Sequence, residues 1–364
     1  MIKVIELPID KDMGGLTSYV LQLYRMINKK EFELTLLSYD DPQNFDVNYN
    51  VETVSRPYHI IQFYKKMKCL LSEGKDIIHF HQSYVNIIPI LIAKLAGFKT
   101  IILHAHSSSI DDNRKIIRFL KTGLHKVGRF LLPYLVDTYI GCSTKASEWM
   151  FPRKCIDSDS YYLLHNAIDL DLYDRNINLG LEFRQKFNIP PEDALVVGHI
   201  GRFTPVKNHP FIIDIFKEVL KQNPNSYLFL LGDGVERHKI ESLVKSAAIS
   251  DKVIFMGYVN NTVDIMQAID IMILPSLFEG LPLIAIESQA LGIPILVSDT
   301  ITQEVVLTDL CRTLPIDNPK PWAYEIISKF GKNKYIDYRA RIKELGYDSS
   351  VAIKKIENIY KEKQ

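Results

Sequence analysis

The sequence predicts an α/β protein of two doubly wound parallel sheets, each in its own Rossmann-like domain. Three observations carry that reading. Short apolar runs recur along the chain with helical segments between them, the alternation that builds a parallel sheet. Some runs are apolar without a break, such as Ile271-Met272-Ile273-Leu274, as strands buried on both faces require. A length of 364 residues is enough for two such domains.

The composition is 47% hydrophobic, ample for two cores. The 44 basic and 43 acidic residues nearly cancel, which argues against nucleic acid as a partner. Four scattered cysteines, Cys69, Cys142, Cys155 and Cys311, form no C-x-x-C pair. They suit a reducing cytoplasm better than a disulfide framework or a zinc site. Met1–Glu6 reads as a strand and lacks the features of a signal peptide. The longest apolar window, near 85–98, is too short to span a bilayer and contains Pro89 and Lys94.

The first strand ends near Leu7. Gly14-Gly15 follows, then a helix with Val20, Leu21, Leu23, Tyr24 and Ile27 at helical spacing. A double glycine between strand and helix is a candidate phosphate cradle. It matches neither G-K-S/T nor G-x-G-x-x-G, and such glycines are often only steric. Strands are expected at 33–38, 76–81 and 100–103, and a helix at 85–96.

Two H-x-H pairs lie at the carboxyl ends of strands: His79/His81 and His104/His106. Such positions face ligands in open sheets, although a histidine there can simply satisfy loop backbone. A metal site is not expected, since no well-placed carboxylate completes either pair.

Residues 114–132 carry Arg114, Lys115, Arg118, Lys121, Lys126 and Arg129, interleaved with Ile116, Ile117, Phe119, Leu120, Val127 and Phe130 and with no acid. Two readings stand: a basic amphipathic helix on an anionic membrane surface, or a core helix with a solvated basic face.

A strand is expected at 137–143, and Asp169-Leu170-Asp171 lies near a domain boundary. Ile189-Pro190-Pro191-Glu192-Asp193 reads as a linker, dividing a domain of 1–188 from one of 189–348. The second domain begins with a strand at 194–200, then Gly201-Arg202-Phe203-Thr204-Pro205-Val206-Lys207 and a helix at 210–220. Two cations and free helix amides in one loop suit a diphosphate. Further strands fall at 228–231, ending at Gly232-Asp233-Gly234, and at 253–257, before Tyr258 and Val259; a helix is expected at 264–270.

The most informative stretch is 269–298. A strand reaches Leu274, a loop carries Glu279-Gly280-Leu281, a helix begins at Pro282, and Ile295-Leu296-Val297 is the next strand. Glu279 sits at the ligand rim, Gly280 permits close backbone approach, and Glu287 lies inside the helix where it can take the vicinal hydroxyls of a ribose. A solvated loop Glu and a capping Glu are the plain alternative. The tail 349–364 is an amphipathic helix with Val351, Ile353, Ile356 and Ile359 on one side.

Phe-Glu-Gly-Leu-Pro followed by Glu-Ser, with the glutamates eight apart, resembles the E-x7-E motif of retaining glycosyltransferases of the GT-B fold, family 4 above all. The resemblance runs along nearly the whole chain. It implies that Glu279 contacts the donor sugar and Glu287 the nucleotide ribose, and that Arg202 and Lys207 hold the diphosphate beside Gly201. Gly232, Tyr258, Val259, Gly280 and Leu281 would line the nucleotide and sugar, Gly14 and Gly15 would face the phosphates, and His106 (with His104 second) would meet the sugar. Three departures are Asn208 for the family's Gly, Ala167 in the Asn-Gly-Ile-Asp segment, and no Gly-Gly before Glu304. It also implies two domains facing across a cleft, a tail helix returning to the first, no cofactor or metal, a nucleotide sugar (UDP expected) as donor, and a glycan or lipid-linked saccharide acceptor. Cytoplasmic work in cell-surface polysaccharide assembly, at the inner membrane surface, follows. Other chemistries of the fold, a phosphorylase or epimerase, and a non-catalytic nucleotide-sugar-binding partner are the alternatives.

Overall fold

The structure is a computed structural model that describes residues 1–10, 15–112, 114–190, 194–259, 261–329 and 335–364. The chain forms two compact units, Met1–Ala167 with Ser349–Gln364, and Ile168–Asp348.

In the first unit the described strands are β1 (Ile2–Ile9), β2 (Phe32–Ser38), β3 (Val51–Thr53), β4 (Ile77–Gln82), β5 (Thr100–Ala105), β6 (Thr138–Gly141) and β7 (Tyr161–Leu163). All pair in parallel, in the order β3-β2-β1-β4-β5-β6-β7. The winding reverses between β1 and β4, which is where an open sheet leaves a crevice at its carboxyl edge. The helices are α1 (Gly15–Met26), α2 (Ile60–Ser72), α3 (Ile87–Ala96), α4 (Lys115–Leu135), α5 (Thr144–Met150) and α6 (Arg153–Ile156).

The C-terminal helix Ser349–Glu362 belongs to this unit. Its Ala352, Ile353, Ile356, Ile359 and Tyr360 pack with Val4, Phe32, Ile77 and Ile102. Each such aliphatic side chain contributes roughly 2 kcal/mol by leaving water.

Helix α4 departs from the pattern of a core helix. His125, Gly128 and Leu132 are its buried positions, and a Cβ on Gly128 would lie 2.5 Å from Val85. The opposite face exposes Ile116, Phe119, Leu120, Val127, Phe130 and Tyr134, each more than half accessible. The reading of a core helix with a solvated basic face is therefore wrong: a broad apolar face points outward.

The second unit contains β8 (Leu195–Ile200), β9 (Ser226–Leu231), β10 (Val253–Gly257), β11 (Ile271–Leu274), β12 (Ile295–Ser298) and β13 (Cys311–Leu314), parallel in the order β10-β9-β8-β11-β12-β13. Here the winding reverses between β8 and β11. The helices are α7 (Ile177–Lys186), α8 (His209–Gln222), α9 (Arg237–Ser246), α10 (Thr262–Met266), α11 (Leu283–Ala290), α12 (Pro319–Lys329) and α13 (Arg339–Glu344). Leu195, Val197, Leu228, Leu230, Ile271 and Ile273 form the core with Ile212, Phe216 and Trp322.

Two expectations need correction. The boundary falls between Ala167 and Ile168, not at 188/189, because α7 packs within the second unit: Arg184 donates to Ala268 O (3.0 Å) and pairs with Asp270 (2.7 Å). The helix expected at 264–270 is α10, which ends at Met266. Part of the expected linker, Pro191–Asp193, lies outside the described residues.

Candidate active site

The loops that follow β8 and β11 meet at the winding reversal of the second unit. Leu277 N–H donates to Val206 O (2.8 Å), tying the two loops together. Lys207 and Glu279 are carried on these loops, and Lys207 Nζ lies 2.6 Å from Glu279 Oε1. Both are largely buried, so screening by water is weak and the pair is held in one geometry. Arg202 follows Gly201 on the same loop and is exposed to solvent.

The glycines here are steric necessities. A Cβ on Gly201 would lie 3.1 Å from the Lys207 stem and 3.0 Å from His199 Nε2. Gly232 has φ 121°, and a Cβ there would lie 2.2 Å from Gly201 O. The ends of β8, β9 and β10 are joined through Gly201 N–H to Leu231 O (3.0 Å) and Gly232 N–H to Gly257 O (2.8 Å). Asn208 takes φ 55°, a left-handed conformation that Asn tolerates, which accounts for its standing where glycine is usual.

His199 supports this loop and was not anticipated from sequence. It is fully buried, and its Nδ1–H donates to Ile273 O (2.9 Å), leaving Nε2 as an acceptor. Burial, working against that hydrogen bond, lowers its pKa to about 3, and Lys207 nearby pushes the same way. His199 is therefore neutral and adds no charge beside the lysine.

Glu287 lies on α11, the helix after the Glu279 loop, and is part-buried. Burial raises its pKa, and a hydrogen bond from the Tyr173 hydroxyl opposes the rise. Burial and the Glu287 charge in turn push the Tyr173 phenol upward. Tyr173, itself buried, thus fixes the carboxyl and was missed; the only sequence signal was its nearness to the Asn-Ala-Ile-Asp segment. In that segment Asp169 accepts from Asp171 N–H (3.3 Å), so the D-x-D triplet caps a turn.

Of the remaining expected residues, Gly280 and Leu281 are buried in the Glu279 loop, while Tyr258 is 61% exposed and Val259 half-buried after β10. Gly15 opens α1; Gly14 lies outside the described residues.

His106 lies in the first unit, part-buried just beyond β5, and does not stand alone. Its Nε2 is 2.8 Å from His81 Nδ1. His81 Nε2 is 2.7 Å from Glu6 Oε2, and Tyr360 donates to Glu6 Oε1 (2.6 Å). Burial would raise the Glu6 pKa, but His79 and His81 more than offset it and hold the carboxyl at about 2. Burial lowers His81 to about 4 and takes His104 and His106 well below their ordinary value. At neutral pH His81, His104 and His106 are therefore neutral imidazoles beside the Glu6 carboxylate. The expectation that no carboxylate completes the histidine pairs is overturned: Glu6, hidden in an apolar strand, pairs in register with His79 across the β1–β4 ladder. Among the described residues, His79, His81 and His104 place one ligating atom each within 4.8 Å of the others.

Comparisons with known proteins identify the family and the fold. Residues 13–172 match the profile of Glycosyltransferase Family 4, and residues 181–347 that of Glycosyl transferases group 1. EpsF of Bacillus subtilis, described as a glycosyltransferase, is 27% identical over 95% of this chain and 93% of its own length. An Escherichia coli UDP-Gal:α-D-GlcNAc-diphosphoundecaprenol α-1,3-galactosyltransferase is 23% identical over 82% of this chain and 79% of its own. Among solved structures, Anabaena HepE in complex with UDP superposes with a TM-score of 0.79 at 17% identity, both chains covered in full. Sucrose-phosphate synthase from Thermosynechococcus elongatus gives 0.81 at 17% identity, covering 100% of this chain and 99% of its own. With matched profiles over most of its length and two parallel sheets wound as in these structures, the chain belongs to the family 4 glycosyltransferases of the GT-B fold.

Proposed function

We propose that this enzyme moves a sugar from a UDP-sugar to a glycan or lipid-linked saccharide in cell-surface polysaccharide assembly, with retention of anomeric configuration and no metal at the leaving group. The observation that carries the proposal is the Lys207–Glu279 pair beside Arg202, at the winding reversal of the second unit. A diphosphate there takes Lys207 and Arg202 as counter-charges and the first-turn amides of α11 as donors. As Lys207 turns to the phosphates, Glu279 is released to hold sugar hydroxyls. Glu287, steadied by Tyr173, accepts from the ribose diol.

Charge building on the departing diphosphate is then met by groups already in place, which favours the transition state over the bound donor. The acceptor attacks from the face the diphosphate leaves, through an oxocarbenium-like state, and no residue is assigned as a covalent nucleophile. The UDP complex of HepE and the UDP-galactose donor and lipid diphosphate acceptor in the name of the E. coli relative support the choice of substrates. His106, held by His81, hydrogen-bonds the sugar or the acceptor.

The outward apolar face of α4 supports the inner membrane surface as the place of work. Phe119, Phe130 and Ile116 insert among acyl chains while Lys115, Arg118 and Lys126 meet anionic headgroups on the cytoplasmic side. Arg114, Lys121 and Arg129 contribute less: the first two pair with Asp112 (3.0 and 2.9 Å), and Arg129 donates to Trp149 O and Phe151 O. Among the described residues no helix is long and apolar enough to cross a membrane.

Calorimetric titration with UDP, GDP and ADP in EDTA, beside Arg202→Ala, tests the donor site. Micromolar UDP binding lost in the variant is the expected result. Preference for GDP moves the donor to a GDP-sugar, and no binding to any of the three sinks the enzyme reading.

A further inference from the structure

The first unit buries a cluster of imidazoles, of which the proposed transfer uses only the His81–His106 contact. Glu6, His79 and His81 come from β1 and β4, and His104 from β5, where it pairs in register with His81. All four side chains are buried. Tyr19 closes the cluster from α1, its ring centre 5.8 Å from that of His81 and 5.2 Å from that of His104. Tyr360 closes it from the C-terminal helix.

Hydrogen-bond accounting shows what the cluster lacks. Glu6 accepts the Tyr360 O–H, so the Tyr360 oxygen must accept from His79 Nδ1–H at 2.7 Å. His79 Nε2, on the other side of the ring, has no hydrogen-bond partner. Both ring nitrogens of His104 are likewise without a protein partner, one of them a lone pair in either tautomer. His81 Nε2–H is taken by Glu6 and its Nδ1 accepts from His106, so an ion bound at Nδ1 takes the place of that second bond. A carboxylate that fixes the tautomer of an imidazole and turns its other nitrogen outward is the usual outer partner of a metal-ligating histidine. Buried polar atoms left unpaired cost about 1–3 kcal/mol each, so an arrangement this incomplete calls for an occupant.

We propose that His79, His81 and His104 hold a divalent transition-metal ion of the kind that prefers imidazole, such as zinc, cobalt or nickel, with Glu6 as the neutralising carboxylate. A donor set of three imidazoles with one carboxyl group beside them suits these borderline ions and not calcium or magnesium. The ligand atoms, within 4.8 Å of one another, need to close to about 3.3 Å around bonds of roughly 2.0–2.1 Å, a matter of small side-chain rotations. Enclosed on all sides, the ion is structural: it clamps the carboxyl ends of β1, β4 and β5. It takes no part at the Arg202–Lys207 loop, and donor binding in EDTA is a separate matter.

The test uses the full chain, purified without a histidine tag or chelator, with metal measured by plasma mass spectrometry. After stripping with dipicolinate, the chain is titrated with Co²⁺ and with Zn²⁺. The expected results are close to one ion per chain, visible ligand-field absorption from cobalt at one equivalent, and a melting temperature raised by several degrees by micromolar Zn²⁺ over the stripped chain. His104→Ala should lose the cobalt band. If that variant does not fold, stoichiometry and absorption of the wild-type chain decide alone. Less than a tenth of an ion per chain with no cobalt band means that the cluster binds no metal, and the proposal falls. It falls equally if His104→Ala folds and keeps the band, which would place the ion at a surface histidine such as His238.

Discussion

Lys207 Nζ and Glu279 Oε1 stand 2.6 Å apart, so the residue assigned to the diphosphate and the residue assigned to the sugar begin as partners. The two must separate for both to serve a donor, and their variants should therefore behave differently. Glu279→Gln frees the lysine and should bind UDP as tightly as wild type or better, with kcat reduced about 100-fold or more. Lys207→Ala should weaken UDP binding and lower kcat/KM by roughly 100- to 1,000-fold. Calorimetry and steady-state kinetics on the two variants check this; equal loss of UDP affinity in both would remove the exchange of partners.

Tyr173→Phe takes the hydroxyl from Glu287, whose pKa burial already raises. The carboxyl should then rise further and bind ribose less well, costing about 3- to 10-fold in UDP affinity, in line with one hydrogen bond to a charged group. In a Glu287→Gln background the same change should have almost no effect. A double-mutant cycle with a coupling energy near zero would separate the two residues.

The face of α4 makes a membrane prediction. Phe119→Ser with Phe130→Ser should abolish sedimentation with anionic vesicles and leave transfer to a water-soluble acceptor unchanged. Vesicles of neutral lipid should bind the wild-type chain weakly, and salt should release it from anionic ones. Binding that survives the double substitution would move the contact elsewhere.

Acid stability follows from the histidines of the second unit. His199 and His209 have folded-state values lowered by burial to about 3 and about 2, against an ordinary 6.5. Below 6.5 the unfolded chain takes up protons that the folded chain does not. Their contribution is complete above 6.5 and is lost as pH falls from there toward 3, by up to about 1.4 kcal/mol per pH unit for each. Denaturant midpoints at pH 7.5, 6 and 5 should fall progressively, and His209→Gln should flatten the slope.

Much of this was legible in the sequence because the signals are local. The unit from Ile271 to Ser298 could be read residue by residue: unbroken apolar runs are buried strands, and Pro282 and Gly292 bracket the helix between them. Glu279, Glu287, Arg202 and Lys207 fell at the carboxyl edge because strand ends do. What was not legible depends on register or on which face turns inward. Glu6 was read only as part of the first strand; the β1–β4 pairing sets it against His79. The periodicity of α4 marked an apolar face without saying that small residues such as Gly128 would take the inner side. Tyr173 meets Glu287 across more than a hundred residues, a distance no local pattern spans.

The bond from Tyr360 to Glu6 joins the two extremes of the first unit, and the second unit is an excursion between them. On the ribosome, Ile168–Asp348 is a continuous piece that can close as it emerges. The first unit must wait with its sheet uncovered until Ile356, Ile359 and Tyr360 leave the exit tunnel. Order of synthesis is thus opposite to order of completion: the half that is made first is the half that is finished last.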